Sequence, residues 1–267
     1  MNTAEYRKYL KSMDRAKLEE CLLELYKRQS KRDKEIVELV VTGINENKVV
    51  PDKHAAIPNI SLLRKKLTQY KELSLRGAFW NLSSFRKISK GIRTILKEVL
   101  CCPVRSVVRE EAEALFYDTF LFAMTLTYRF VDNDGSVEWW TGMNDIDLFR
   151  SLCGYILSSG YTRENLLKTA RASCVMSVGD RTVAFPLQET LVLLLKNGDV
   201  RLELLELLEQ QMADPETGPE YQLRMGILYL LLNEKEASAK AGLDMICEIC
   251  GQACAHDVFV LWQSLHS

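Results

Sequence analysis

Residues 83–100 read SSFRKISKGIRTILKEVL, and this stretch decides the fold class. At about 100° per residue, its apolar side chains fall on one face of a helix. Its cations recur at i, i+4, i+7 and i+11, which places them in one stripe on roughly the opposite side. The apolar face comprises Phe85, Ile88, Ile92, Ile95, Leu96 and Val99, and the stripe comprises Arg86, Lys90, Arg93 and Lys97. We therefore predict a helix that buries one side and presents positive charge on the other.

The segment before it repeats this pattern more loosely. Over residues 59–73, Leu63, Leu67 and Tyr70 form an apolar seam with basic residues beside it. The two segments together predict a basic helix pair over residues 59–100, joined by a turn that holds a glycine and two aromatic residues. The residues predicted to contact a polyanion are Arg64, Lys65, Lys66, Arg86, Lys90, Arg93, Lys97 and Trp80, whose indole would stack on a base.

The charge of the chain is strongly asymmetric, although the total is only −1. Residues 51–109 contain 13 Lys and Arg against 3 Asp and Glu, a net charge of +10. Residues 110–267 contain 11 against 24, a net charge of −13. Such a basic block is typical of a surface that binds nucleic acid. The alternative is that the basic helices face acidic ones and that the charges compensate within the fold.

Composition indicates an all-α protein. The 267 residues include only 6 Pro and 13 Gly, and 47% are hydrophobic, which is ordinary for a globular protein. Successive helical patterns with short connections predict a multi-helix bundle or an irregular α-solenoid of HEAT-like helix pairs, although no fixed repeat period is present. Prolines in a polar stretch over residues 44–58 predict a boundary between an N-terminal helical unit, residues 1–50, and a main helical domain, residues 51–267.

The sequence also bears on the compartment. The N-terminus lacks the apolar core of a signal peptide. The longest apolar run, residues 114–131, is interrupted by Asp118 and Arg129 and predicts a core helix, not a membrane span. The 8 cysteines are scattered through a mid-sized chain, which favours reduced thiols in a cytoplasm. We therefore expect a cytoplasmic protein with no membrane association.

The opening of the chain bears a resemblance to known sequences. Residues 9–13 read YLKSM, residues 22–27 read LLELYK, and residues 85–92 read FRKISKGI. These segments resemble the opening and the basic middle segment of some uncharacterised bacterial helical proteins, over about a quarter of the chain. The resemblance implies an all-helical fold and transfers no activity.

The sharpest cysteine pattern is Cys247-x-x-Cys250-x-x-x-Cys254-x-His256. Three thiolates and an imidazole could bind zinc or an iron–sulfur cluster. However, positions 247, 250 and 254 also fall at i, i+3 and i+7, the apolar stripe of a helix, and a buried cysteine behaves as a small hydrophobe. A structural zinc site usually pairs two CxxC motifs, and the chain has no second one. We therefore expect buried structural cysteines and no cofactor.

No catalytic signature is present. The chain has no GxGxxG, Walker or GxSxG motif. Asp132-x-Asp134-Gly135 resembles a calcium loop only at its centre, because both essential ends fail. Carboxylates around Trp139 and Trp140 remain a candidate ligand-binding mouth outside the basic segment.

We expect a binding protein without chemistry of its own. The first hypothesis is a helical scaffold that binds a protein partner or a second copy. The alternative is nucleic-acid binding through residues 59–100. A metal-dependent enzyme around the C-terminal cysteines ranks third.

Overall fold

The computed structural model describes residues 13–28, 57–75, 82–129, 136–175, 185–213, 219–233, 243–244, 246–248 and 251–266. In these ranges the chain forms helices and no strand, so the all-α prediction is confirmed. The main helices are α1 (Arg15–Arg28), α2 (Ile60–Leu75), α3 (Leu82–Leu100), α4 (Arg109–Arg129), α5 (Val137–Thr141), α6 (Asp145–Leu157), α7 (Arg163–Ser173), α8 (Pro186–Leu194), α9 (Gly198–Met212), α10 (Pro219–Leu232) and α11 (Gln252–His266). Of the predicted N-terminal unit only residues 13–28 are described, and most of its predicted boundary lies outside the described residues.

Helix α4 lies at the centre of the first half of the fold. It contacts α2, α3, α5 and α6, which explains why its apolar residues are not confined to one face. Phe116 and Phe120 are fully buried in this helix. Its buried Thr119 and Thr127 donate hydroxyl hydrogen bonds to the carbonyls of Leu115 and Ala123, at 2.7 and 3.0 Å. These polar groups are therefore satisfied inside the apolar core, as burial requires.

Helices α2 and α3 pack against each other and against α4. The predicted apolar faces supply the contacts, because Leu63 and Leu67 of α2 and Ile88 and Ile92 of α3 are almost completely buried. Gly91 of α3 permits the close approach. A Cβ atom at this position would overlap with the ring of Tyr70 in α2.

The second half of the fold is built from α6 to α11. The three-residue link between α8 and α9 predicts that these two helices pack as an antiparallel pair. In the structure both helices instead pack against α10 and α7. The guanidinium of Arg201 in α9 holds the link between the two helices, because it donates hydrogen bonds to the carbonyls of Leu195 and Val192 at the end of α8. A side chain of α9 thus caps the carbonyls at the end of α8.

Side-chain hydrogen bonds cap the N-termini of several helices. Asp14 accepts from the backbone N–H of Lys17 at 2.9 Å and caps α1. Asn144 caps α6 in the same way, accepting from Asp147 N–H at 2.7 Å.

The C-terminal helix, α11, is attached to the end of α10 by the Trp262 indole, which donates to the Asn233 carbonyl at 2.8 Å.

The glycine contact between α2 and α3 gives a testable prediction. Alanine is favoured over glycine inside a helix by about 0.5–1 kcal/mol. Gly154→Ala in α6, where nothing lies within 4 Å of the new methyl group, should raise the free energy of unfolding by that amount. Gly91→Ala should instead lower it by about 1–3 kcal/mol, because the methyl group overpacks against Tyr70. Urea unfolding of the two variants measures both effects, and stabilisation by Gly91→Ala would contradict the packing.

Candidate nucleic-acid interface

The basic stripe of α3, defined as Arg86, Lys90, Arg93 and Lys97, lies on the surface. All four residues are exposed, and the apolar residues on the other side of the helix, Ile88, Ile92, Ile95, Leu96 and Val99, are at most 2% exposed. The stripe therefore faces away from the core. Lys87 is a further exposed cation at the edge of the stripe, and Glu98 is the one acidic residue in the sequence of α3.

Most of these charges have no acidic partner among the residues that the structure describes. Among the described residues, no carboxylate oxygen lies within 4.0 Å of Arg86, Lys90 or Lys97. These three side chains of α3 therefore form no ion pair with an acidic residue in the described part of the chain. A row of exposed like charges on one helix face is mildly unfavourable on its own.

The basic residues of α2 differ from those of α3. Arg64 forms an ion pair with Asp118 of α4, with its Nη1 3.9 Å from Oδ2. Lys65 is exposed and Lys66 is half-buried, and neither has an ion pair within the described part of the chain. The predicted basic helix pair therefore places its strongest continuous charge on α3 alone.

Helix α5 lies directly beside the stripe. It contains Trp139 and Trp140, which the sequence presents as a candidate ligand-binding mouth outside the basic segment. The spacing of Val137, Trp140 and Thr141, all buried, followed by Gly142, is the signal that could have identified this single-turn helix. Gly142 ends it in the left-handed conformation, with φ of 80°.

Two side chains of α3 hold the end of α5. The guanidinium of Arg93 donates from Nη2 to the carbonyls of Glu138 and Trp139, at 3.3 and 2.9 Å. The Ser89 hydroxyl donates to the same Trp139 carbonyl at 2.7 Å. A cation at the C-terminal carbonyls of a helix is favourable, because those groups carry partial negative charge. Arg93 therefore has a structural role in addition to its place in the stripe.

The same contact brings an exposed aromatic residue to the edge of the stripe. Trp139 is 45% exposed, and its ring lies edge-on to Phe85 of α3, with centroids 6.3 Å apart. Trp140 is buried and packs at 4.6 Å from the same phenyl ring. Trp80, the aromatic residue predicted to stack on a base, lies outside the described residues. The described aromatic platform beside the cations is thus Trp139, which lies outside the basic segment in the sequence.

The C-terminal cysteine motif is only partly described. Cys254 is buried, Cys247 is half-buried and His256 is exposed, and Cys250 lies outside the described residues. In the described part of the chain, no group of three or more His, Cys, Asp or Glu side chains is placed to hold a metal ion. Elsewhere, burial raises the pKa of the Cys174 thiol to about 12, so this thiol stays protonated and unreactive near neutral pH.

No family model matches this chain, and neither a curated protein nor a solved structure matches it. Within the described ranges, no helix combines the length and the apolar character that crossing a bilayer requires.

The contact between Arg93 and α5 predicts a difference between neighbouring cations. Arg93→Ala should lower the free energy of unfolding by about 1 kcal/mol, because it removes charge-assisted hydrogen bonds at an exposed position. Arg86→Ala should change it by less than about 0.5 kcal/mol, because this side chain makes no ion pair with a described residue. Urea unfolding followed by tryptophan fluorescence compares the two variants. Equal losses would contradict the structural role of Arg93.

Proposed function

We propose that this protein binds nucleic acid through the basic stripe of α3. The observation that carries the proposal is the exposure of Arg86, Lys90 and Lys97 without a carboxylate partner among the described residues. Between Arg86 and Lys97 the helix rises about 16 Å, at 1.5 Å per residue. At 3.4 Å per nucleotide along one strand of a duplex, this length corresponds to about five phosphates. A row of cations on this scale supports backbone binding that does not depend on base sequence.

The exposed Trp139 ring favours single-stranded nucleic acid as the ligand. Single strands bind surfaces that combine a positively charged track with aromatic rings on which bases stack. Here the ring lies beside the stripe and is anchored through its own backbone carbonyl by Ser89 and Arg93. Anchoring of the backbone leaves the indole available while fixing its position, which lowers the entropic cost of stacking.

The role we infer is binding without catalysis and without a cofactor. The cysteines of the chain fit a reducing compartment, so we place this role in a cytoplasm. The net charge of −1 implies that attraction is local to the stripe, because the whole molecule would not be drawn to a polyanion.

A protein-binding scaffold is the second candidate, and α1 favours it. This helix buries none of its residues, and Leu22, Leu23 and Leu25 are 62%, 58% and 46% exposed. Exposed leucines of this kind are typical of a surface that contacts a protein partner or a second copy. In that case the helices would form a bundle or an irregular solenoid whose surface serves as the scaffold. Light scattering of the wild type and of Leu22→Glu tests self-association separately from nucleic-acid binding.

The proposal predicts a steep salt dependence. Binding of short mixed single-stranded DNA should weaken as salt increases, with a slope in log–log form of about −0.7 for each neutralised phosphate. The variant Arg86→Ala/Lys90→Ala/Lys97→Ala removes three such contacts, so its slope should be smaller in magnitude by about 2. Fluorescence anisotropy across a salt series measures both slopes.

A charge-matched control separates the stripe from net charge. Arg28→Ala/Arg150→Ala/Lys196→Ala removes three exposed cations that belong neither to the stripe nor to α2. It should retain the slope of the wild type. Equal loss in the two variants, or no binding by the wild type at low salt, would refute the stripe as the interface.

The aromatic contact predicts a second, salt-independent effect. Trp139→Ala should weaken single-strand binding by about 1–3 kcal/mol, because stacking on one base is lost. Trp139→Phe should retain most of the affinity, and the salt slope should be the same in both variants. The same anisotropy titration at fixed salt gives these affinities. An unchanged affinity in Trp139→Ala would remove stacking from the proposal and leave a purely electrostatic surface.

A further inference from the structure

A second cationic feature lies at the start of α4. A cleft of about 520 Å³ is lined there by Val104, Arg105, Ser106, Val107, Arg109, Glu110, Ser158 and Ser159. This volume falls within the range of small-molecule sites. The cleft lies between the turn that follows α3, the first turn of α4 and the end of α6.

Arg109 is the notable residue of this cleft, because it is a buried charge. It is only 7% exposed, and its guanidinium stacks on the ring of Tyr155, 3.1 Å from the centroid. It donates to the carbonyls of Cys102 and Tyr155 and to the Ser158 hydroxyl, each at 2.8 Å. All three acceptors are neutral. Among the described residues, no carboxylate oxygen lies within 4.0 Å of this guanidinium.

One donor of Arg109 is also unsatisfied. Its Nε is buried and has no hydrogen-bond partner among the described residues. Buried charges are normally paired, and a buried donor without a partner indicates a missing ion, water or ligand. Arg109 also lines the cleft, so its uncompensated charge is a reason to expect an anion there.

The surroundings supply further anion-binding groups. The cleft lies at the N-terminus of α4, a helix of 21 residues, and a helix N-terminus carries partial positive charge. Two backbone N–H groups of its first turn are already bonded, because Arg109 N–H donates to the Ser106 carbonyl at 3.0 Å and Ala112 N–H donates to the Val108 carbonyl at 2.9 Å. Arg105 adds an exposed guanidinium, and Ser159 adds a hydroxyl. Glu110 opposes them, because its carboxylate lines the same cleft.

We propose that the cleft between Arg105, Arg109 and Ser159 binds the phosphate group of a small molecule. A doubly charged oxyanion fits two guanidinium groups and a helix N-terminus better than a neutral ligand or a cation does. The site is independent of the basic stripe and does not rest on the proposed function of that surface.

Titration with inorganic phosphate against potassium chloride of equal ionic strength tests this site by calorimetry. The wild type should bind phosphate saturably. Arg105→Gln should weaken binding roughly tenfold, the loss expected for one charge-assisted contact. Glu110→Gln should strengthen binding, because it removes the opposing carboxylate. Both positions are exposed, so neither change should unfold the protein. A second titration uses glycerol phosphate. If it binds more tightly than inorganic phosphate, the ligand is an organic phosphate.

Two controls keep the interpretation specific. Lys196→Gln, at an exposed position outside the cleft, and the stripe variant Arg86→Ala/Lys90→Ala/Lys97→Ala should both bind phosphate like the wild type. Heat equal to that of chloride, or equal weakening in Arg105→Gln and Lys196→Gln, would overturn the proposal. Loss of phosphate binding in the stripe variant would move the anion site to α3 and overturn it as well.

Discussion

The rest of the structure depends on the two-sided character of α3. Burial of each large apolar side chain on its inner face contributes about 1.5–3 kcal/mol, and Ile88, Ile92 and Ile95 are fully buried. An exposed ion pair contributes only about 0–1 kcal/mol. The apolar face therefore sets the rotation of the helix, and the cations take the surface that remains. If α3 rotated to turn the stripe inward, the free energy lost by exposing the apolar face would exceed the free energy gained from ion pairs.

The position of α5 follows from the same helix. Ser89 and Arg93 sit at the border between the two faces of α3, and both donate to carbonyls at the end of α5. A single-turn helix has too few internal hydrogen bonds to be stable alone, so contacts with its neighbours must hold it. The aromatic residues at 139 and 140 thereby divide between core and surface. The contact between α3 and α5 thus brings together the basic stripe and the tryptophan pair, which the sequence presents as two separate candidate sites.

What could be predicted from the sequence is what depends on near neighbours along the chain. The apolar periodicity of α3 needs only residues within two turns of each other, and the sequence predicts it. Ion pairs and helix packing depend on residues that are far apart in the sequence. The ion pair between Arg64 and Asp118 and the packing of α8 and α9 on α10 were therefore not predicted. Arg109 shows the limit most clearly, because the Tyr155 ring that covers it lies 46 positions further along the chain.

The two cationic features differ in how the fold accommodates their charge. The stripe cations remain in water, where their charge is screened and needs no partner. Arg109 has lost most of its water, and its replacement is a set of neutral oxygen atoms at the ends of α3 and α6. Those bonds tie the turn after α3 to the end of α6, which gives the residue a structural reason to be buried. They do not neutralise its charge, and for that reason we propose a small anion as the ligand of the cleft that Arg109 lines.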